Sequence, residues 1–330
     1  MLSLPVRLAL LIGLFFATTT PRRASCVEAA RPTAATFAIT HADLPADKVQ
    51  AIEKAAPDQA PAKAAKPRKV LVYGRAPTHA QSVPLCFKAM EILGKKTGAF
   101  ETVCSGDPAA FLPENLRQFD AVVMNNTHEL RPFLPPDLLQ WPKYKDKELD
   151  TAQQAALREK EAACQKNLLE IVRGGKGLVG IHGATCMVQW PEYFEMLGGK
   201  YACHFVDKVW IRTEEPGHPL CEALKDKNFE LRDEIYGFGP PVFSREKVRV
   251  LLELDLSRGP DPKNRPAKDY AISWVRPYGQ GRVFYCSLGH SYDAYTNPNV
   301  LSHYLAGIQF AIGDLKAECT PRASHEASRP

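Results

Sequence analysis

The chain has 330 residues, 45% of them hydrophobic and 24% charged, an ordinary globular composition with enough apolar material for one large core. Its 42 basic and 37 acidic residues leave a formal charge of +5. That charge is spread along the chain without the Lys/Arg blocks that neutralise a row of phosphates, which argues against nucleic acid as a partner. Nine cysteines occur with no CxxC spacing and no dense framework, so neither a zinc ribbon nor a disulfide scaffold is expected.

Residues 1–29 read as a secretory signal peptide. Arg7 lies in a short basic region, the apolar stretch from Leu8 to Ala17 is too short to span a bilayer, and Val27-Glu28-Ala29 offers small residues for cleavage. The mature chain is then expected to be exported, periplasmic or extracellular, and free of the membrane after cleavage. Residues 30–67 are rich in Ala, Pro and Lys ("APDQAPAKAAKPRK") and read as a linker, with one short helix from Ala46 to Ala56.

The folded domain is expected over 68–316. "RKVLVYGR" opens it as a buried strand, a helix follows from Val83 to Lys95, then a strand from Phe100 to Cys104 and a second buried run, "DAVVMNN", from Asp120. A Pro-rich excursion from Arg131 to Tyr144 precedes a helix from Thr151 to Arg173, which Gly174-Gly175 ends before the strand "GLVGI". Apolar strands alternating with amphipathic helices imply a doubly wound α/β fold with a mostly parallel sheet. Beyond Gly198, "DKVWIRTEE", "NFELRDEIYGF", "VRVLLELDL" and "YAISWVRP" follow one another without long helices, so extra antiparallel strands are expected in the C-terminal half. "GRVFYCSLGH" and a helix from Asn299 to Leu315 close the domain, and residues 317–330 read as a disordered tail.

In a parallel sheet, chemistry collects beyond the carboxyl ends of the strands. "GLVGIHGATC" delivers His182 there, with Gly183 and Ala184 leaving room beside it. Other stretches deliver His79, Asn125, Asn126, His128, Asp233, Glu234, Tyr236 and His290, and "GGKYACH" adds His204 from a loop. His218, before Pro219, reads as a turn residue, and His303 as a structural one within the last helix. Imidazoles with a carboxylate serve two chemistries, holding a divalent ion such as Zn²⁺ or acting without metal as general acid and base. No HExxH-like spacing decides between them.

The motifs "GGKGLVGIHGAT" (174–185), "YFEMLGGKYACH" (193–204), "HPL" (218–220), "DEIYGF" (233–238) and "GQGRVFYCSLGH" (279–290) together resemble the ThuA-like (trehalose-utilisation) family, over residues 69 to about 315. The resemblance implies the fold of class I glutamine amidotransferases, also described as flavodoxin-like. In those enzymes the turn after the corresponding strand presents a nucleophilic cysteine, whereas this chain has His182, and Cys186 lies four residues on. A glutaminase reaction needs the thiolate on that turn, so it is not expected here.

The family further implies work in the uptake and breakdown of disaccharides and 3-keto sugars. On that footing His182, His204, Glu234 and His290 are expected around the reacting centre, with Asn125, Asn126, Tyr236, His79 and Trp190 binding a small-molecule carbohydrate. In a metal-holding version His182, His204 and His290 are the ligands and Glu234 a ligand or base. In a metal-free version His182 is the base and Glu234 its orienting partner or the acid. The alternative is a non-catalytic carbohydrate-binding protein, with Trp141, Trp190, Tyr292 and Tyr295 as stacking platforms. The stretch "RGPDPKNRPAKDYAISW" stands as an insertion that either rims a pocket or decorates the surface.

Overall fold

The computed structural model describes residues 44–75, 79–127, 131–134, 151–186, 190–259, 261–262 and 265–322. Nine strands form one sheet: β1 Lys69–Tyr73, β2 Glu101–Ser105, β3 Ala121–Asn125, β4 Gly177–Ile181, β5 Cys203–Thr213, β6 Asn228–Gly237, β7 Arg249–Leu254, β8 Ala271–Tyr278 and β9 Gly281–Cys286. Their spatial order is β2-β1-β3-β4-β9-β8-β7-β5-β6. The pairs β1–β2, β1–β3, β3–β4 and β4–β9 are parallel, and every pair from β9–β8 outward is antiparallel. The doubly wound expectation and the antiparallel C-terminal strands are both realised.

The parallel half is buried on both faces because its strands are apolar at successive positions. Val70 and Val72 of β1 point into one core cluster, and Leu71 and Tyr73 into the other. Helices α2 (Ser82–Thr97) and α8 (Pro298–Ile312) cover the first face, while α4 (Thr151–Arg173) and α5 (Pro191–Leu197) cover the second. The short helices α1 (Ala46–Ala55), α3 (Pro113–Leu116), α6 (Pro219–Glu222) and α7 (Tyr292–Tyr295) fill the connections.

Helix α8 begins where Asn297 accepts the backbone N–H groups of Asn299 and Val300, has Pro298 at its first position, and stops at Gly313 with φ +88°. It buries all but two of its fifteen residues. Gly307 makes this possible: a Cβ there would sit 2.3 Å from the Phe284 ring of β9.

Residues 44–67 belong to the stretch expected as linker with one short helix; that helix is α1, and the stretch lies along the domain. Ile52 is fully buried, Lys96 donates to the carbonyls of Glu53 and Ala56 at 2.9 and 2.7 Å, and the Gln309 amide exchanges two hydrogen bonds with the Ala62 backbone. A stretch poor in apolar bulk can still be fixed through its backbone when polar side chains of the domain satisfy it. The start of the expected disordered tail is held in the same way, with His218 Nε2 2.8 Å from the Glu318 carbonyl and Arg249 donating to that of Thr320. The signal-peptide reading lies outside the described residues. No helix among the described residues is long and apolar enough to cross a membrane.

Candidate functional site

Strands β3, β4 and β9 run side by side, with Asn125, Ile181 and Cys286 in register at their carboxyl ends. The residues that follow therefore emerge at one level. His182 follows Ile181 and turns sharply, with φ +43°, into a single 3-10 turn over His182–Thr185. A histidine in the left-handed region is uncommon, and here it resembles the strained elbow that presents a nucleophile between strand and helix. Asn126, the first residue after β3, takes the same conformation with φ +48°.

The carboxylate arrives from the side. Strand β5 pairs with β7 only over Ile211–Thr213 but with β6 along its length, so the far part of the β5–β6 ribbon extends beyond the sheet and closes over the carboxyl edge. Asp233 fastens it there, accepting the N–H groups of Gly289 and Ser291 at 2.7 Å each. Burial pushes the Asp233 carboxyl up against the pull of His182 and these N–H donors. "DEIYGF" is therefore part of an antiparallel strand that crosses the rim and not a strand ending at it.

Four imidazoles surround Glu234. His182 Nε2 lies 3.0 Å from Oε2 and His79 Nε2 3.9 Å from the same oxygen, while His204 Nε2 lies 3.5 Å from Oε1. The His290 ring sits 5.2 Å from that of His79 and 5.4 Å from that of His182. Burial alone would raise the Glu234 carboxyl, but hydrogen bonds from His182 and His79 overcome it and hold the group well below the usual carboxylate range. His290 is pushed down, first by burial and then by the neighbouring His182.

His182 is fully buried, and its Nδ1 lies 2.6 Å from the Ser287 carbonyl. Both of its nitrogens thus face oxygen acceptors, so a ring carrying a proton on each satisfies the geometry. Tyr236 stacks against it at 4.1 Å and reaches His79 Nε2 with its hydroxyl at 3.3 Å.

Among the described residues, the group whose ligand atoms all lie within 4.8 Å of one another is His79, Glu234 and His290. The expected ligand set of His182, His204 and His290 is thereby revised. His182 is tied to Ser287 and to Glu234 itself, and His204 stands at the rim with 48% of its side chain exposed. His79, assigned above to substrate binding, belongs to the ligand-type group.

Asn125 and Asn126 are buried at the floor of the site. The first donates to the Val83 carbonyl at 3.0 Å, and the second donates to Asn125 Oδ1 and Tyr295 OH at 3.1 Å each. Trp190 is buried against Tyr193, with ring centroids 4.9 Å apart, because it starts α5 on the core face. Tyr295 is also fully buried, so two of the four stacking platforms are lost to the core, while Trp141 and His128 lie outside the described residues. Cys186 is buried, and its thiol is pushed up to about 12 by that burial, which leaves it unsuited to act as a nucleophile.

His218 caps α6, and His303 bonds to Ser273 inside the core, as their positions suggested. Sequence reasoning passed over Tyr201, whose hydroxyl lies 2.6 Å from His204 Nδ1. The only signal was its place three residues before that histidine.

The sheet order and the strained histidine turn at the carboxyl edge define an α/β protein with a mixed parallel and antiparallel sheet and an imidazole–carboxylate cluster over its rim. The chain belongs to the ThuA family, described as trehalose utilisation, which matches residues 69–311. A ThuA-like protein of Bacteroides uniformis is similar in structure, with 19% identity and a TM-score of 0.55, covering 76% of this chain and 93% of that one. Another, from Parabacteroides merdae, has 17% identity and a TM-score of 0.51, covering 78% and 98%. Among curated proteins none matches this chain.

Proposed function

We propose that this protein is exported and acts as an enzyme on a disaccharide or keto-sugar, using a divalent ion held by His79, Glu234 and His290. The observation that supports it is the convergence of four imidazoles on one largely buried carboxylate. A single carboxylate neutralises one imidazolium, so the remaining lone pairs at this density are better used on a cation. The donor set, two imidazoles and a carboxylate, suits Zn²⁺ or a similar divalent ion. Such an ion polarises a carbonyl oxygen or acidifies a bound water.

The chain's own residues carry the rest. His182, anchored on the Ser287 carbonyl, holds Glu234 Oε2 and so fixes the direction of the carboxylate. In this arrangement His182 works as a hydrogen-bond donor to Glu234 Oε2. Tyr236 packs beneath both His182 and His79 and keeps water from that side. His204, half in solvent and fixed by Tyr201, is placed to exchange a proton with a sugar entering from outside.

The test is metal analysis of the purified protein together with turnover of 3-keto-disaccharides. The expected result is one divalent ion per chain, lost with turnover in Glu234→Gln and His290→Ala, whereas His204→Ala keeps the ion and slows turnover. Full turnover by metal-stripped protein would remove the metal from the reading. No turnover on any keto-sugar, with sugar binding intact in His182→Ala, would replace the enzyme by a binding protein.

A further inference from the structure

Within the insertion before β8, Arg265 and Pro266 are seated against the end of β6, and Arg265 is a buried cation. It is only 6% exposed and donates through Nη1 to the Tyr236 carbonyl. Two glycines make the seat: a Cβ on Gly237 would lie 3.2 Å from Arg265 Cδ and 2.5 Å from Cys203 Sγ, and one on Gly239 would lie 2.6 Å from Pro266. Side chains at either position would lift the insertion off β6.

The remaining edge of the guanidinium is unused. Nε and Nη2 of Arg265 are buried and have no hydrogen-bond partner among the described residues. This is the side-on fork that matches a carboxylate, and five other arginines of the chain use it in that way. Arg68 grips Asp314, Arg131 Glu161, Arg212 Glu253, Arg245 Asp269 and Arg249 Glu215, each through Nε and Nη2 together. The half-buried Phe205 ring lies 5.7 Å from the Arg265 guanidinium and the Cys203, Asp269 and Tyr270 side chains act on it through space, but none of them is a hydrogen-bond acceptor for Nε or Nη2 among the described residues. A buried cation whose fork is unpaired is costly to keep.

We propose that the Arg265 fork, between the insertion and the end of the β5–β6 ribbon, is a binding site for the carboxylate of a small molecule, separate from the imidazole cluster. In β6, Gly237 alternates with Tyr236, so the site lies on the opposite face of the ribbon from Glu234 and His204. The proposal does not depend on the reaction assigned to the cluster.

The experiment is thermal unfolding of the full chain in sodium acetate and in sodium glucuronate, against sodium chloride at equal ionic strength and against glucose. In the wild type both carboxylates are expected to raise the midpoint by roughly 2–4 °C once they exceed their dissociation constants several-fold, while chloride and glucose do not. A rise with glucuronate alone would identify an acidic sugar as the source of the carboxylate, and a rise with both a carboxylate in general. Arg265→Met, which removes the unpaired charge, is expected to match or exceed the wild-type midpoint without anion and to show no carboxylate response. Arg265→Lys keeps the charge without the fork and is expected to lose the response as well. No carboxylate-specific rise in the wild type, or an equal rise in either variant, would overturn the site.

Discussion

Replacing His182 by glycine and by alanine separates the backbone of the elbow from its ring. Both changes remove the same hydrogen bonds, to the Ser287 carbonyl and to Glu234, so those losses cancel when the two variants are compared. What remains is the φ of +43°, which costs a residue bearing a Cβ about 1–2 kcal/mol and glycine almost nothing. Glycine in turn loses about 0.4–1 kcal/mol through its freer unfolded chain. The glycine variant is therefore expected to be about 0.5–1 kcal/mol more stable than the alanine variant, while neither turns over substrate. Urea unfolding at equal m-values measures the difference. A glycine variant less stable than the alanine one would show that the turn stores no strain and that nothing is spent there to aim the ring.

Asp233→Asn puts an amide donor where one of two N–H groups needs an acceptor, and is expected to cost about 1–3 kcal/mol and to raise amide exchange at Gly289 and Ser291. His303 is buried with its pKa lowered to about 4. Because the unfolded ring takes up its proton near 6.5, the stability this neutral ring contributes is whole above pH 6.5 and is lost as pH falls toward 4. The loss is about 3 kcal/mol, and unfolding titrations of the wild type against His303→Gln at pH 7.5 and 4 measure it. Gly307→Ala gains about 1 kcal/mol of helix propensity but sets a methyl 2.3 Å from the Phe284 ring. A net loss of about 1–3 kcal/mol is expected, and adding Phe284→Leu is expected to recover part of it, as a double-mutant cycle would read.

The parallel half was legible because each of its strands is apolar at consecutive positions and each is followed by a helical period. The end of α2 came within two residues, where Gly98 takes φ +65°, whereas α8 stops at Ile312, three residues short of the expected Leu315, because Gly313 takes φ +88°. The place of β9 was not legible. It joins β4 in the parallel half although four antiparallel strands precede it in the chain, and only burial across that distance decides it. In residues 44–67 the helix was legible, but the contacts of the rest were not, because composition reports apolar bulk and not the backbone partners, such as Gln309 and Asp314, on the domain.

Within the site, His182 was legible because it is an imidazole that ends a strand and is followed by the small residues Gly183 and Ala184. Glu234 was legible as a polar group at a rim but not as one carried there sideways, since a strand's neighbours are not written in its own alternation. His79 went to substrate binding because nothing local to "APTHA" sets the direction of its ring; Tyr236, more than 150 positions away, does so through its hydroxyl. Tyr201 and the Ser287 carbonyl left no trace of their roles, one being an ordinary aromatic and the other a backbone atom that every residue has. The polar groups that meet on Glu234 are thus recognisable one by one, while the pairing among them follows from the ribbon that Asp233 ties down. Any change that frees this ribbon is expected to carry Glu234 and His204 away from His79, His182 and His290 without altering any of the five.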